Sequence, residues 1–478
     1  MTRVRPLAKC QLVLALLAVV GLTQVVGYGQ TARPRRIAGF GSSVAFGTGD
    51  EYGKEGYTGL LRAMLAPKGW EVLNQSRGGD TTKLLATRWA PEGTPDPRTR
   101  YLLPVDPSYV VIGLSLANEG IFEASTKEEK DAVFQQYAEG IRGFIAKARQ
   151  QNIVPIVTLC YPRSVYTPVE YEYIRRMNIL LNSWDVPTVN FLGALDDGNG
   201  RWARGFMFND RHPNASGHQE LVFTFVPTLF EALEKGRPTP AKPAVARGFA
   251  RISDAAAPLT FTPESTMHSF AVSMTVRTES NGALGAISGS TLAAKMEKKR
   301  SGAGATAVEF EEAVLSADRP FTSTISVQNG KWVYKSAGGT SVASNAPADA
   351  QWHHIVLSHS TARGETLFFV DGKLAGTVAE RLEPNRFVIG GPGPAQGTAA
   401  PKQADYTDLF LFRSALNLDE VAVLNQGKML QSSLEVYAPL VDAQFQAGSM
   451  VENRAQSLAG LKIGSGRIVH IEDDRRTP

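Results

Sequence analysis

From residue 36 to about residue 235, short apolar runs alternate with longer segments in which apolar residues recur at helical spacing. The apolar runs that predict strands are Arg36–Phe40, Trp70–Leu73, Tyr109–Leu114, Ile153–Cys160 and Thr188–Phe191. The predicted helices are Tyr57–Leu65, Lys127–Arg149, Val169–Asn182 and Ser216–Glu234. Strands that are apolar along nearly their whole length and separated by helices predict a parallel sheet covered on both faces. The first domain is therefore expected to be a three-layer α/β fold.

Beyond about residue 250 the pattern changes to short strands of alternating apolar and polar residues. The predicted strands are Ser269–Val276, Thr322–Val327, Lys331–Ser336, His353–Ser358, Thr366–Val370 and Tyr406–Phe412. Asp371-Gly372 lies between the segments FFV and KLAG and is typical of a two-residue β-hairpin turn. The first convincing helix of this half is Leu418–Gln426. This pattern predicts an all-β sandwich.

Composition places the domain boundaries. Arg3, Arg5 and Lys9 precede an apolar run, Leu12–Val26, which small residues follow. That layout is typical of a secretory signal peptide, and the run is shorter than the roughly 20 residues of a membrane-spanning helix. We therefore expect a signal peptide at 1–29 and a secreted or periplasmic protein, with an uncleaved N-terminal anchor as the alternative. The expected domains are 34–236 and 251–465, with a Pro- and Ala-rich linker at 237–250 and a tail at 466–478.

Charge and cysteine content exclude some classes of partner. The formal net charge of +4 falls to +1 once residues 1–29 are removed. A nearly neutral protein has no long-range field for nucleic acid or anionic lipid, so neither is an expected partner. Of the two cysteines, Cys10 lies in the predicted signal peptide, and Cys160 lies in a predicted strand. The mature chain cannot form an internal disulfide, and Cys160 is expected to be a small buried hydrophobe.

The first candidate for chemistry is Ser43, which follows an apolar strand and precedes the small residues AFGTG. Parallel sheets place their sites at the carboxyl ends of strands, where a sharp turn would expose this side chain. The motif is neither the G-x-S-x-G of α/β-hydrolases nor a P-loop. Taken alone, Ser43 is also consistent with an ordinary polar turn.

The histidines favour a hydrolytic site. Of the seven in the chain, only His212 and His218 precede residue 250. His212 lies in a loop before the last predicted helix of the domain, whereas His218 lies in the first turn of that helix. His212 is therefore the better candidate for a general base, and a structural or surface role is the simpler account of His218.

Four short blocks together resemble the SGNH (GDSL-type) hydrolases over most of residues 36–235. They are Phe40-Gly41-Ser42-Ser43, NQSRGGDTT from Asn74 to Thr82, Leu116-Ala117-Asn118-Glu119, and NDRHPNASG from Asn209 to Gly217. The resemblance implies a flavodoxin-like fold with Ser43 as nucleophile and His212 as base. It implies three oxyanion donors, namely the N–H groups of Ser43 and Gly79 and the side chain of Asn118. Acyl transfer needs a nucleophile, a base and oxyanion donors, and this set supplies all three.

The chain departs from the family pattern in two blocks. Ser42 stands where an acidic residue usually precedes the nucleophile. Leu116 stands where a glycine is usual, and Glu119 stands where an aspartate is usual. The loop that presents Asn118 is therefore expected to differ from that of its relatives.

The fourth block also departs, because Asn209 occupies the position of the aspartate that partners the catalytic histidine. Asparagine cannot stabilise an imidazolium by charge. Asp210 is the expected substitute that orients His212. The pair Asp196-Asp197 is a remoter substitute that is more typical of a surface turn, and a Ser–His dyad with backbone support is the third alternative.

The second half resembles laminin-G-like, concanavalin A-type jelly-roll domains. The resemblance rests on the segment from Ala346 to Lys373, APADAQWHHIVLSHSTARGETLFFVDGK, and on the later segment from Asp405 to Leu424. It implies a glycan-binding surface, for which Trp352, His353 and His354 are the candidate residues. A tryptophan in an alternating strand is more often part of the core. A structural role, such as packing over the hydrolase cleft, is therefore an equal alternative.

These features predict an exported serine esterase that removes acyl groups, acetyl among them, from a small-molecule or polysaccharide ester. No cofactor and no metal are expected, since no dense Asp/Asn cluster is present. The alternative is a non-catalytic surface or glycan-binding protein built on a degenerate hydrolase fold. The changes at Asn209 and Leu116 support that alternative, and the presence of Ser43, Asn118 and His212 opposes it.

Overall fold

The computed structural model describes residues 34–243, 248–253, 255–303, 307–391, 399–441 and 445–472. The predicted signal peptide at 1–29 lies outside these ranges. Within them, no helix has the length and apolar content that crossing a membrane requires.

The first domain is built on a five-stranded sheet whose strands lie in the order β2-β1-β3-β4-β5. All four neighbouring pairs are parallel, as predicted. The strands are β1 (Arg36–Gly41), β2 (Glu71–Asn74), β3 (Tyr109–Gly113), β4 (Val154–Thr158) and β5 (Thr188–Val189). The strand order is that of flavodoxin-like sheets, whose sites lie beyond the carboxyl ends of the strands.

Helices cover both faces of this sheet. They are α1 (Ser43–Phe46), α2 (Gly56–Leu65), α3 (Thr82–Thr87), α4 (Lys127–Gln150), α5 (Pro168–Asn182), α6 (Leu192–Leu195), α7 (Ala215–Phe223) and α8 (Leu229–Glu234). Short 3-10 helices lie at Ala66–Lys68, Leu103–Val105 and Leu116–Glu119.

Successive residues of a strand point to opposite faces of the sheet. Phe40 and Ile112 pack with α4 and α5 on one face, and Ile37 and Val111 pack with α2, α7 and α8 on the other. The predicted three-layer α/β/α fold is therefore confirmed.

One predicted helix is two helices in the structure. The apolar pattern predicted continuous helix over Ser216–Glu234, but α7 ends at Phe223 and α8 begins at Leu229. Pro227 lies between them. Proline has no backbone N–H and clashes with the preceding turn, so the helix breaks there although the apolar pattern continues.

The second domain has two antiparallel sheets. The first has the order β17-β16-β15-β10-β19-β8-β23, with β20 beside β19, and the second has the order β14-β13-β12-β11-β18-β9-β22-β21. The strands of the first sheet are β8 (Phe249–Ile252), β10 (Phe270–Arg277), β15 (His353–Ser360), β16 (Glu365–Val370), β17 (Lys373–Ala379), β19 (Ala404–Phe412), β20 (Leu434–Ala438) and β23 (Ile468–Ile471). Those of the second sheet are β9 (Leu259–Phe261), β11 (Gly282–Ser301), β12 (Val308–Gln328), β13 (Lys331–Lys335), β14 (Ser341–Pro347), β18 (Leu382–Ile389), β21 (Met450–Val451) and β22 (Leu461–Ile463).

A continuous apolar core lies between the two sheets, so the predicted all-β sandwich is confirmed. The predicted hairpin turn is also confirmed, because Asp371 and Gly372 have φ angles of 52° and 73° and join paired strands. Both residues therefore take the left-handed conformation that a tight hairpin turn requires. The helix α9 (Leu418–Asn425) packs on the outer face of the first sheet.

The sandwich extends further at both ends than the sequence pattern indicated. The strand β8 begins inside the expected linker 237–250, and β23 lies inside the expected tail 466–478. The two strands pair with each other in the first sheet. Each has only four residues, too few to show a clear alternation of apolar and polar positions.

A long β-hairpin joins the two domains. We call residues 292–303 and 307–317 the arm, since here β11 and β12 pair with each other beyond the body of the sandwich. The N–H of Ala313 donates to the carbonyl of Gly205 at 2.7 Å, and the ring centroids of Phe310 and Phe208 are 5.1 Å apart. From Arg35 onward, the two domains form one compact unit.

Candidate active site

Ser43 is the first residue of α1 and lies at the carboxyl end of β1. The two central strands approach closely here, since a Cβ on Gly41 would lie 2.1 Å from the carbonyl oxygen of Gly113. The N–H of Ser42 continues this pairing by donating to the same carbonyl at 3.1 Å. The chain then turns into α1, which leaves Ser43 half-buried at the edge of the sheet.

His212 lies in a short β-hairpin formed by β6 (Met207–Asn209) and β7 (His212–Pro213). Its Nε2 atom is 2.9 Å from the Oγ atom of Ser43. Its Nδ1 atom is 3.0 Å from the Oδ1 atom of Asn209. The predicted nucleophile and the predicted base are therefore within hydrogen-bond distance of each other, although 169 positions separate them in the chain.

The hydrogen bonds of Asn209 determine which nitrogen of His212 carries the proton. The backbone N–H of Arg211 donates to Asn209 Oδ1 at 3.0 Å, so the oxygen of the amide faces the hairpin. That oxygen accepts a hydrogen bond from Nδ1–H of His212. Nε2 then has a free lone pair toward Ser43, which is the tautomer that a general base needs.

The surroundings of His212 disfavour its charged form. Burial lowers its pKa to about 4, and the positive charge of Arg163 adds to the effect. No carboxylate among the described residues forms an ion pair with His212. His212 is therefore neutral above about pH 4 and available as a base throughout the neutral range.

The structure places Asp210 differently from the expectation that it orients His212. Asp210 lies in the turn between β6 and β7, with its side chain exposed, and forms no side-chain hydrogen bond to His212 in the described part of the chain. Its backbone carbonyl accepts hydrogen bonds from Ser164 N–H and Trp202 Nε1–H. In a two-residue turn, positions 209 and 212 face each other across the hairpin, so the orienting partner of His212 is Asn209.

The remoter substitutes also lie away from His212. Asp196 accepts hydrogen bonds from the Tyr171 hydroxyl and the Gly200 N–H. Asp197 accepts the N–H groups of Asn199 and Arg201. Both carboxylates accept backbone hydrogen bonds within the turn that follows them. This agrees with the prediction that the pair is more typical of a turn than of a catalytic site.

Asn118 is held at the carboxyl end of β3 by its own side chain. Its Oδ1 atom accepts hydrogen bonds from Ser115 N–H at 2.9 Å and from the Tyr161 hydroxyl at 3.1 Å. Its Nδ2 atom donates to Ser42 Oγ at 3.1 Å. An amide nitrogen has two hydrogens, so one N–H of Asn118 is not used in the hydrogen bond to Ser42, the residue before Ser43.

The two departures around Asn118 have structural roles. Leu116 is fully buried in the core, and its N–H donates to Cys160 Sγ. Glu119 accepts hydrogen bonds from the N–H and hydroxyl of Thr82 and from Gln136. The loop of the third block is therefore tied to the start of α3, at the last residue of the second block.

The second block forms a turn beside the nucleophile. A Cβ on Gly78 would lie 3.8 Å from the Cβ of Ser43, and Gly79 has a φ angle of +83°. In the described part of the chain, the N–H groups of Ser43 and Gly79 donate to no hydrogen-bond acceptor. Asp80, the next residue of this turn, forms a fully buried ion pair with Arg88 that holds the turn in place.

Two other predictions about single residues can be compared with the structure. His218 is fully buried, with its ring nitrogens at 3.2 Å from Tyr57 N and 3.1 Å from Thr48 O. These contacts give it the structural role expected. Cys160 is a free, buried thiol, as expected.

Sequence reasoning missed two residues that follow β4. Tyr161 donates its hydroxyl hydrogen bond to Asn118, and its ring stacks on Trp202 with centroids 5.9 Å apart. Arg163, two residues later, lowers the pKa of His212. The signal was their position, since both directly follow a predicted strand at the edge of the sheet that holds Ser43 and Asn118.

Two parts of the chain are similar to known protein families. Residues 40–220 match the GDSL-like lipase/acylhydrolase family, and residues 257–422 match the concanavalin A-like lectin/glucanase superfamily. The first domain is therefore similar to the GDSL-like family over most of its length. No curated protein sequence matches the chain.

Solved structures are similar to each domain separately. A lipase/acylhydrolase from Enterococcus faecalis is 18% identical, with 44% of this chain and 100% of that chain covered and a TM-score of 0.31. A catalytic mutant of an acetylxylan esterase from Geobacillus stearothermophilus is 15% identical, with 39% and 90% covered and a TM-score of 0.29. A SAP-like pentraxin from Limulus polyphemus is 12% identical, with 48% and 94% covered and a TM-score of 0.26.

A cleft of about 780 Å³ lies between the GDSL-like domain and the arm. Its lining includes Asn209 and Asp210 from the hairpin of His212, and Phe310 and Glu311 from the arm. A larger cavity of about 1190 Å³, lined by α4, α5 and α9, contains none of the proposed catalytic residues. The smaller cleft lies beside the hairpin of His212, although neither Ser43 nor His212 is part of its lining.

The candidate glycan-binding residues of the sandwich are engaged in protein contacts. Trp352 is half-buried, with its ring 5.4 Å from Phe249 and under the guanidinium of Arg277. His353 is paired with Asp349 and Asp371, and His354 contacts Ser273. These contacts favour the packing role for Trp352. Across the described residues, no group of three or more His, Cys, Asp or Glu side chains is arranged to hold a metal ion.

Proposed function

We propose that this protein is a serine esterase in which Ser43 is the nucleophile and His212 the general base. The observation that carries the proposal is the 2.9 Å separation between Ser43 Oγ and His212 Nε2. The hydrogen bond from His212 to Asn209 supports it, since that bond leaves Nε2 unprotonated.

In the acylation step, His212 takes the hydroxyl proton of Ser43 as Ser43 Oγ attacks the ester carbonyl carbon. The resulting tetrahedral intermediate collapses when the C–O bond to the alcohol breaks, and His212 returns the proton to that alcohol. In the deacylation step, His212 takes a proton from water, which attacks the acyl-enzyme. Collapse of the second intermediate releases the acid and restores the hydroxyl of Ser43.

The oxyanion of both intermediates would be stabilised by three N–H groups. Two of them are the backbone N–H groups of Ser43 and Gly79. The third is a side-chain N–H of Asn118, namely the one that does not donate to Ser42 Oγ. Fixed donors of this kind usually supply the largest electrostatic share of catalysis. Asn118 is fixed by the two hydrogen bonds that its Oδ1 atom accepts.

We propose further that the protein is exported and that its esters are carried by carbohydrates. The export proposal rests on the sequence pattern of residues 1–29. The carbohydrate proposal rests on the union of a GDSL-like domain with a concanavalin A-like one. N-terminal sequencing of the protein recovered from the growth medium or periplasm tests the first part, and release of acetate from acetylated polysaccharides tests the second.

The central experiment measures hydrolysis of 4-nitrophenyl acetate by the mature protein and by Ser43→Ala. We expect the variant to lose activity to the level of buffer, while Ser183→Ala, an exposed serine at the end of α5, retains it. A fluorophosphonate probe should label Ser43 alone, as identified by peptide mass spectrometry. A folded wild-type protein that neither hydrolyses the ester nor reacts with the probe would favour the non-catalytic, glycan-binding alternative.

A further inference from the structure

Arg163 is an unusual side chain for its position beside the site. It is only 5% exposed, and arginine is rarely buried to this degree without a carboxylate partner. Among the described residues, no Asp or Glu forms an ion pair with it. Its Nε atom is buried and has no hydrogen-bond partner. The structure therefore contains a buried positive charge that interacts with Tyr161 but has an unpaired Nε–H and no carboxylate ion-pair partner among the described residues.

The backbone around Arg163 is fixed on both sides. Its own N–H donates to the carbonyl of Gly200, and the N–H of Ser164 donates to the carbonyl of Asp210, both at 2.9 Å. The second of these bonds joins the segment directly to the turn that carries His212. Arg163 is thus presented from a rigid segment and not from a free surface loop.

The guanidinium of Arg163 lies beside Tyr161, whose hydroxyl contacts the side chain of Asn118. Its central carbon is 5.9 Å from the centre of the Tyr161 ring, and the hydroxyl of that ring is 3.1 Å from Asn118 Oδ1. The charge of Arg163 also acts on His212, where it is the second cause of the lowered pKa after burial. Arg163 is therefore linked through Tyr161 to Asn118, and its charge acts on His212.

We propose that Arg163 recognises a carboxylate on the substrate, so that the preferred ester is one whose acid or alcohol part carries a negative charge. This inference rests on the proposed esterase function and names its substrate class. A guanidinium is planar and binds a carboxylate through two parallel hydrogen bonds. A carboxylate bound there would supply the partner that the buried charge lacks. The charge of Glu123 acts on Arg163, but Glu123 is exposed and forms no ion pair with it.

The experiment compares charged and neutral esters of matched shape. On the acyl side, the pair is mono-4-nitrophenyl succinate and its methyl ester. On the alcohol side, the pair is 4-acetoxybenzoate and its methyl ester. For the wild type, we expect kcat/KM to be higher for the charged member of at least one pair, by about 10- to 100-fold, the factor typical of a hydrogen bond to a charged group.

Arg163→Met should remove that preference, whereas Arg163→Lys, which keeps the charge, should retain part of it. The ratio of the two kcat/KM values is the readout because a change in the basicity of His212 affects both esters equally. Arg211→Gln is the matched control, since it removes a charge from an exposed side chain in the hairpin turn. We expect that control to change the ratio by less than about threefold, because solvent screens exposed charges.

A second measurement does not depend on catalysis or on a folded Arg163 variant. Calorimetric titration of Ser43→Ala should show binding of the charged esters and much weaker binding of their methyl esters. Hydrolysis without any preference for charge, or equal binding of both members of each pair, would overturn the role of Arg163 and leave the esterase proposal intact. Charge-selective binding by a wild type that hydrolyses none of the four esters would overturn the esterase proposal and leave the carboxylate site intact.

Discussion

Replacing Asn209 by aspartate would place a negative charge against a histidine that now has a neutral partner. Asn209 Oδ1 is 3.0 Å from His212 Nδ1 and also accepts the N–H of Arg211. A carboxylate has the same shape and can accept both hydrogen bonds. The substitution therefore changes the charge at this position while the tautomer of His212 is retained.

The expected effect follows from the geometry. Two unit charges about 4 Å apart attract by about 4 kcal/mol at an effective dielectric constant of about 20. Both residues are partly exposed, so we take about 3 kcal/mol, which corresponds to about two pKa units. The pKa of His212 would then rise from about 4 to about 6. If about half of that stabilisation is present in the transition state, kcat increases about tenfold at pH 8.

The assay is the pH dependence of kcat/KM for 4-nitrophenyl acetate between pH 4 and 9. His212 must be unprotonated to act, so a raised pKa moves the loss of activity to higher pH. Asn209→Asp should be about tenfold faster than the wild type at pH 8 and slower at pH 4.5, with the two profiles crossing near about pH 5. NMR titration of the His212 ring in Ser43→Ala gives the pKa directly.

Asp210→Asn is the control, since Asp210 lies one residue away and its side chain is exposed. We expect it to leave the profile nearly unchanged. If Asn209→Asp alters neither the rate nor the pH at which activity is lost, the charge at position 209 does not control the pKa of His212. A large loss of kcat in Asp210→Asn would instead restore Asp210 as the residue that orients His212.

Three further outcomes are expected. The wild type should keep its activity down to about pH 5 and lose it as pH falls through about 4, the pKa of His212; half-loss near pH 6.5 would show that the ring is more exposed than described here. Asn118→Ala should lower kcat by about 10²–10³ with a small change in KM, because an oxyanion donor acts in the transition state; unchanged kcat would remove Asn118 from the site. Glu312→Ala should lower the free energy of unfolding by about 1–3 kcal/mol, since its buried carboxylate accepts hydrogen bonds from Tyr52 and Ser216; urea denaturation measures this, with Glu312→Gln as the variant that retains an acceptor.

The fold of the first domain could be predicted because its strands are almost wholly apolar and its helices are strongly amphipathic. Both signals are local, so the chain displays them without knowledge of distant contacts. The region of the site could be predicted for the same reason, since the carboxyl ends of parallel strands meet at one edge. The order of Ser43, Asn118 and His212 along the chain then indicated which residues meet.

What the sequence did not indicate depends on distances across the structure. Asp210 was preferred to Asn209 because it carries a charge, but the two-residue turn makes 209 and not 210 the position opposite His212. Arg163 gave no sign of its burial, because the residues that enclose it come from other segments. The arm was missed because KMEKKR and VEFEEAVL are rich in helix-forming residues. Pairing between its two strands and packing against the first domain override that preference.

Because of the arm, the two domains cannot be separated or exchanged as independent units. The carbonyl of Gly205 accepts a hydrogen bond from the N–H of Ala313, and the side chain of Asn214, next to the hairpin of His212, donates to the carbonyl of Glu311. A truncation after residue 243 would remove both partners and expose the edge on which the hairpin of His212 rests. Exchange of the sandwich for a different β-sandwich domain would have the same consequence unless the graft left residues 292–317 in place. An engineered or evolved recombination point in this chain therefore cannot lie in the linker alone.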